Sequence, residues 1–87
     1  MYNVFVMKVL NFTLVFKEEP EGGYTVIVPS LPGCVTYGKS LTEAKAMAKD
    51  AIKAYLESLK KHDEEIPVEE SIFLSTINFD TKTLSYA

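Results

Sequence analysis

Cys34 and His62 are the residues of this sequence whose types most readily support nucleophilic catalysis. They are its only cysteine and its only histidine, so a thiolate–imidazole pair would require these two residues to meet. Cys34 follows a proline–glycine turn, whereas His62 lies at the far end of the longest helical pattern. We therefore expect Cys34 to be a small buried packing residue and His62 to be a cation at a helix C-terminus.

Carboxylates are placed in turns and on one helix flank rather than on the predicted strands. No acidic residue occurs within 1–17 or within 22–42. The acids of the helical region, Glu43, Asp50 and Glu57, recur every seven residues, as on a solvated face. Because a metal or acid–base site requires such groups to converge, we predict no metal site, no catalytic residue and no cofactor.

Four lysines lie along one flank of the predicted helix, namely Lys45, Lys49, Lys53 and Lys60. They indicate either a contact with RNA or an acidic protein surface, or simply an exposed, solubilising flank. All nine basic residues are lysine, and the net charge is −3. Because guanine readout and bidentate phosphate binding depend mainly on arginine, this composition disfavours direct DNA recognition and suits a basic protein partner.

The elements that would position these residues follow from the hydrophobic periodicity. Apolar and polar residues alternate from Leu10 to Lys17, which predicts a half-buried strand; the apolar residues 1–9 extend it or lie at its edge. A charged Pro–Gly–Gly turn at 17–23 leads to a return strand over Tyr24–Val28, and a third short strand spans Cys34–Gly38. These three strands are predicted to form an antiparallel meander.

A long helix is predicted from Ser40 to about His62. Ser40 and Glu43 have the spacing of a capping box, in which the serine hydroxyl accepts from the helix and Glu43 reaches back to the cap. We expect one stripe of this helix to cover one face of the sheet. The stripe consists of Leu41, Ala44, Ala48, Ala51, Ile52, Tyr55 and Leu59, with Leu56 at its margin.

A fourth strand is predicted over Ser71–Phe79, where apolar residues occur on both alternating faces. A polar linker over 62–67 separates it from the helix, and residues 84–87 add a frayed strand or tail. The element order is β-β-β-α-β, an α+β fold in one domain over residues 1–87. We expect the fourth strand to pair in parallel through a right-handed crossover and the sheet's second face to stay uncovered.

The length of 87 residues limits the size of the core. We therefore expect a homo-oligomer, either a dimer or a tetramer, or a partner that covers apolar surface. A single cysteine excludes an internal disulfide, and no uncharged apolar run approaches the ~18 residues of a membrane span. The sequence therefore predicts a cytoplasmic protein without membrane association.

One succession of residues resembles the HicB-like antitoxin family. It consists of Gly-Gly-Tyr, a proline, Leu-Pro-Gly-Cys, a glycine, and a helix start of the form Ser-x-x-Glu-Ala. Its members here are Gly22, Gly23, Tyr24, Pro29, Leu31, Pro32, Gly33, Cys34, Gly38, Ser40, Glu43 and Ala44, followed by Ala48, Ala51, Tyr55 and Leu56. The resemblance covers about residues 11–59.

The resemblance implies a degraded ribonuclease-H-like fold and a non-catalytic role. Proteins of this family are antitoxins that bind and neutralise a small HicA toxin, which cleaves messenger RNA. The implied partner is therefore a small basic protein of the HicA type. This chain departs from the family at Ser30, where an acidic residue is frequent. A C-terminal DNA-binding segment, which many members carry, is also not expected here.

Two alternatives to toxin neutralisation remain open at this stage. One is a stand-alone, oligomeric HicB-like module that binds an unknown ligand without a toxin partner. The other is a small enzyme that uses Cys34 or the region Gly33–Ser40. A packing cysteine predicts that Cys34→Ala costs a little stability, whereas a nucleophile predicts that it abolishes turnover.

Overall fold

A three-stranded sheet and one long helix make up the folded body of the computed structural model. The model describes residues 9–67 and 71–84. The elements are β1 (Val15–Glu18), β2 (Tyr24–Ile27), β3 (Val35–Gly38), α1 (Leu41–Lys61) and a 3₁₀ turn (Thr81–Thr83). The predicted extension at residues 1–8 and the tail at 85–87 lie outside the described residues.

The sheet is an antiparallel meander in the order β1-β2-β3, as predicted. Its register places Phe16 opposite Val26 and Val26 opposite Thr36 in one row across the three strands. Because successive side chains of a strand point to opposite faces, this row defines the face that packs on the helix. The structure confirms the α+β class.

The β1–β2 turn closes by two backbone hydrogen bonds, from Glu19 N–H to the Gly23 carbonyl and from Gly22 N–H to the Glu19 carbonyl, both 2.9 Å. Gly22 and Gly23 have φ of 108° and 82°, which other residues rarely adopt. The ladder of β1 begins at Val15 and not at Leu10, so the first strand is shorter than predicted.

The helix α1 covers one face of the sheet through two alanines. Ala44 and Ala48 are fully buried against Val26, because a methyl side chain lets the helix backbone approach the strand closely. Leu41 was predicted in this stripe, but it is 52% exposed because it begins the helix beyond the edge of the contact. Among residues 9–67 and 71–84, no helix is long and apolar enough to span a bilayer.

The helix begins at a capping box that differs in one bond from the standard form. The Glu43 amide donates to Ser40 Oγ at 3.1 Å, as predicted. The Glu43 carboxylate accepts from Lys39 N–H at 3.0 Å, one residue before the N-cap. Two amide groups at the helix start are thereby satisfied, which stabilises the helix start by about 1 kcal/mol or more.

The second half of the core lies under the loop that joins β2 to β3. Val28, Leu31 and Cys34 are buried there, and Tyr55 and Leu56 of α1 pack against them. The helix therefore holds both the sheet and this loop, which explains why a single helix is sufficient for a core of this size.

The fourth strand predicted over Ser71–Phe79 does not form, and residues 71–80 pair with no strand in the described parts of the chain. Phe73 is 91% and Ile77 88% exposed, so this segment lies clear of the sheet and the helix. The Cα radius of gyration is 18.0 Å, against about 12 Å for a compact chain of this length. Alternation predicts a strand, but it does not specify which edge the strand joins.

Candidate functional site

The first residues of the predicted motif, Gly22, Gly23 and Tyr24, form the tip of the β1–β2 hairpin. A Cβ built on Gly23 would lie 2.0 Å from Tyr37 Oη, so the ring of Tyr37 occupies the space of any side chain there. The Tyr37 hydroxyl donates to the Gly22 carbonyl at 2.9 Å. Tyr24 packs against the buried residue Val26 and the two alanines of the helix. These residues therefore determine the shape of the hairpin.

The central part of the motif, Pro29–Cys34, is a closed loop around one buried leucine. Cys34 donates its amide to the Leu31 carbonyl at 2.9 Å, and Leu31 donates to the Val28 carbonyl at 3.0 Å. Leu31 is fully buried, whereas Pro29, Pro32 and Gly33 lie on the outside. Gly33 has φ of 81°, the left-handed conformation that reverses the chain.

Tyr55 fastens this loop to the helix. Its hydroxyl donates to the Pro32 carbonyl at 2.9 Å, while its ring packs on the cluster of Val28, Leu31 and Cys34. The loop residues of the motif are thus held by a residue from its C-terminal part.

The last part of the motif, from Gly38 to Ala44, lies where the helix and the sheet approach each other closely. A Cβ built on Gly38 would lie 2.3 Å from the Ala44 amide nitrogen and 2.4 Å from its Cα. Only glycine lets β3 and the first turn of α1 meet in this way. Ser40 and Glu43 then cap that turn. The motif as a whole is therefore a set of folding determinants.

Cys34 has the properties of a packing residue. Its side chain is 5% exposed, and burial raises the pKa of its thiol above the ordinary value. A raised pKa keeps the thiol protonated at neutral pH, whereas catalysis requires the thiolate. His62 caps the far end of α1, with Nδ1 2.8 Å from the Ser58 carbonyl oxygen. Each residue therefore has a structural role of its own.

Within residues 9–67 and 71–84, no group of three or more histidine, cysteine, aspartate or glutamate side chains converges. Two exposed surfaces are formed by the described residues, one on the sheet and one along the helix.

The first such surface is the sheet face opposite the helix, here called the open face. The strand register aligns Val15, Ile27 and Val35 in one row across all three strands. Val35 is 55% and Ile27 41% exposed. Tyr37 lies in the next row, opposite Thr25, and is also exposed. An apolar row of this kind, bordered by a tyrosine, is typical of protein-binding surfaces.

The turn beside the open face is acidic. Glu18, Glu19 and Glu21 lie within four residues of one another, and Lys17 is the single basic residue of this stretch. The Thr25 hydroxyl donates to the Glu19 carboxylate, which holds this charge next to the open face. Lys17 lies on the open face as well, in the row of Thr25 and Tyr37, so one lysine accompanies three glutamates at and beside the turn. The excess of negative charge at this end favours a basic surface as partner.

The second surface is a groove of about 930 Å³ between the helix and the chain that leads into β1. We call it the flank groove. Its apolar lining consists of Leu10, Phe12 and Leu14 from that chain and Ile52 and Leu56 from the helix. Sequence analysis placed the first three on one strand face, but it did not bring them next to the helix flank.

Three of the four predicted contact lysines, Lys45, Lys49 and Lys53, line the flank groove, and Asp50 lies among them. They are spaced by four residues on α1, so they form one wall of the groove. Lys60, the fourth, is exposed on the last turn of α1 and is not part of this lining. The lysine flank is thus one wall of a concave surface whose other side is apolar.

The motif residues thus shape a small α+β domain, which leaves two exposed surfaces, the open face and the flank groove. The family model described as the HicB-like antitoxin of bacterial toxin–antitoxin systems matches residues 12–83. The chain belongs to this HicB-like antitoxin family.

Curated relatives support the same assignment. A UPF0150 protein of Thermoplasma acidophilum is 50% identical over 58 residues, which is 67% of this chain and 84% of the relative. A UPF0150 protein of Archaeoglobus fulgidus is 40% identical over 74 residues, covering 85% of this chain and 99% of the relative. Antitoxin HicB 1 of Photorhabdus laumondii subsp. laumondii is 33% identical over 64 residues, covering 74% of this chain and 41% of that antitoxin.

Sequence reasoning missed the residues of the open face. Val15, Ile27 and Val35 belong to three different strands, so their alignment depends on the pairing register. The lengths of the two turns would have allowed part of that register to be predicted, because the length of a hairpin loop restricts which residues of its two strands lie opposite each other. Tyr37 was assigned only to a short strand, although its hydroxyl locks the hairpin tip.

Proposed function

We propose that this chain is a non-catalytic antitoxin of the cytoplasm that binds and neutralises a small, basic, messenger-RNA-cleaving toxin of the HicA kind. Membership of the HicB-like antitoxin family carries the proposal. The buried, protonated Cys34 thiol supports the non-catalytic part, because it leaves the family motif without an activated nucleophile.

The open face is the surface we assign to the toxin. Its row of Val15, Ile27 and Val35 is apolar and lies on regular strands, so a partner would meet a rigid surface. Exposed Tyr37 adds an amphipathic contact residue of the type that dominates binding energy in interfaces.

The charge of the chain favours a basic partner on this face. The net charge is −3, and the Glu19 carboxylate accepts a hydrogen bond from Thr25, which lies in the row next to the apolar row. Complementary charge accelerates association and excludes like-charged proteins. A toxin that cleaves RNA needs a basic surface for its substrate, so covering that surface would block cleavage.

Co-expression with the small protein encoded by the neighbouring gene tests the proposal. We expect that protein to arrest growth alone, and the present chain to relieve the arrest and to co-purify with it. Val35→Asp places a charge at the β3 end of the apolar row, next to Ile27, and should weaken binding by at least 10-fold. Because Val35 is exposed in the free chain, this change should leave stability nearly unaltered.

Leu41→Asp is the matched control. Leu41 is as exposed as Val35, but it lies on the first turn of α1 and not on the open face. An aspartate there is favourable at a helix N-terminus, so the control should fold and relieve arrest normally. Absence of co-purification would contradict the antitoxin role, and normal binding by Val35→Asp would contradict the docking face. A stable chain that binds no product of the neighbouring gene would favour the stand-alone module.

A further inference from the structure

Residues 71–79 have the apolar alternation of a strand, but they pair with no strand in the described parts of the chain. Phe73, Leu74, Ile77 and Phe79 are 91%, 73%, 88% and 65% exposed, respectively. Exposing four large apolar side chains within seven residues is costly in water. Burial of two of them alone would contribute a few kcal/mol. Such a segment therefore needs a surface that covers it.

The flank groove has the chemistry to provide this surface. Leu10, Phe12 and Leu14 form its apolar side along the chain that enters β1. The strand β1 pairs only with β2, so its outer edge carries no strand in the described parts of the chain. A strand laid in the groove would contact this apolar side and extend the sheet at the open edge.

The side chains of the segment match the groove. Phe73, Ile77 and Phe79 share one alternating face, with the small residue Ser75 between them. This face can pack into the apolar groove while the opposite face remains available to solvent. The chain is acidic on both sides of the segment, at 69–70 and at Asp80, whereas the groove wall carries Lys45, Lys49 and Lys53. Charge complementarity thus favours the same pairing.

We propose that the flank groove binds residues 71–79 of a second copy of this chain, so that two copies exchange their C-terminal segments. Among the described residues, the segment is exposed and contributes nothing to the lining of the flank groove, so it is available to another molecule. Exchange gives each sheet the missing fourth strand of the β-β-β-α-β order. The open face is a different surface, so the dimer would still present it to a toxin.

The mass of the purified chain tests the exchange without any toxin. Light scattering at micromolar concentration should give twice the 9.7 kDa chain mass. The double variant Phe73→Asp/Ile77→Asp should give the monomer mass, because two charges enter the apolar groove. Thr76→Asp places a charge on the opposite face of the same segment and should remain dimeric. A monomeric wild-type chain, or a dimer unaffected by the double variant, would overturn the proposal.

Site-specific cross-linking tests the exchange itself. Two differently tagged chains, one with Lys49→Cys and one with Ser75→Cys, are co-expressed and treated with a short bismaleimide. The expected product joins the two tags covalently, and the wild-type chain should give none because Cys34 is buried. A single chain carrying both substitutions separates the two geometries. If it cross-links within one chain and the mixed pair does not, the segment folds back on its own groove and the exchange is wrong.

Discussion

At the residue scale, Cys34 is a potential nucleophile that serves as a packing residue. Sequence analysis predicted a small buried residue from its position after a Pro–Gly turn. The structure buries Cys34 beside Val28 and Leu31, and burial raises the pKa of the thiol. This burial confirms the predicted packing residue, and His62 makes its own contact with the Ser58 carbonyl oxygen at the end of α1.

The raised pKa predicts how stability depends on pH. A group whose pKa is higher in the folded chain stabilises the fold fully below its unfolded pKa, and this contribution is lost as pH rises through the folded pKa. The wild-type chain should therefore exceed Cys34→Ala in unfolding free energy by about 1 kcal/mol at pH 7. This difference in unfolding free energy should shrink above pH 9. In that range the thiol ionises in unfolded wild-type chains, whereas burial opposes its ionisation in the folded chain.

Urea unfolding of both proteins at pH 7 and at pH 10 measures this difference. The two proteins differ only at position 34, so effects common to both cancel in the comparison. A constant difference across this pH range would contradict the buried, protonated thiol.

The hydrogen bond of Tyr37 is a single-residue feature that could not be predicted from the sequence. Its hydroxyl bonds to the Gly22 carbonyl across fifteen positions of sequence. The sequence shows a hairpin and a tyrosine, but the contact exists only once β2 and β3 pair in the observed register. Local pattern fixes the type of an element, whereas such cross-strand contacts follow from the register.

The helix and the sheet meet at Gly38, and this contact is the main packing constraint at the element scale. The spacing of Ser40 and Glu43 predicted where α1 begins, since capping depends only on nearby residues. The reason for glycine at position 38 required the structure, because the Ala44 backbone lies where a Cβ would be.

Substitution by asparagine at two glycines tests this constraint. Gly38→Asn should lower the free energy of unfolding by about 3 kcal/mol, because the side chain collides with helix backbone that cannot yield. Gly33→Asn is the control. No atom lies within 4 Å of its Cβ, and asparagine tolerates positive φ, so the cost should be below about 1 kcal/mol. Equal losses in denaturant unfolding would contradict the close approach at Gly38.

The fourth strand shows the limit of prediction at this scale. The alternation of apolar residues in Ser71–Phe79 is a local property of the sequence. Forming a strand also requires the edge of another strand for pairing. In the described residues the segment is exposed and unpaired with the sheet. If the segment pairs with the edge of a second copy, the sequence pattern predicts the strand itself. It does not predict which molecule provides the edge.

At the scale of the whole molecule, the two sides of the sheet have separate roles. The family motif builds the helix-covered side, and its residues are mostly buried or held in turns. The rows Val15–Ile27–Val35 and Thr25–Tyr37 of the open face contain no motif residue, and the flank groove shares only Leu56 with the motif while including three of the predicted lysines. The motif therefore accounts for how the domain folds, and the proposed binding surfaces lie largely outside it.

The most direct test of the antitoxin account is an RNA-cleavage titration with purified proteins. The product of the neighbouring gene is incubated with messenger RNA while the present chain is added in increasing amounts. We predict that cleavage ceases near equimolar wild-type chain, that Leu41→Asp behaves identically, and that Val35→Asp requires at least 10-fold more protein. Cleavage that continues unchanged at excess wild-type chain would contradict the central claim.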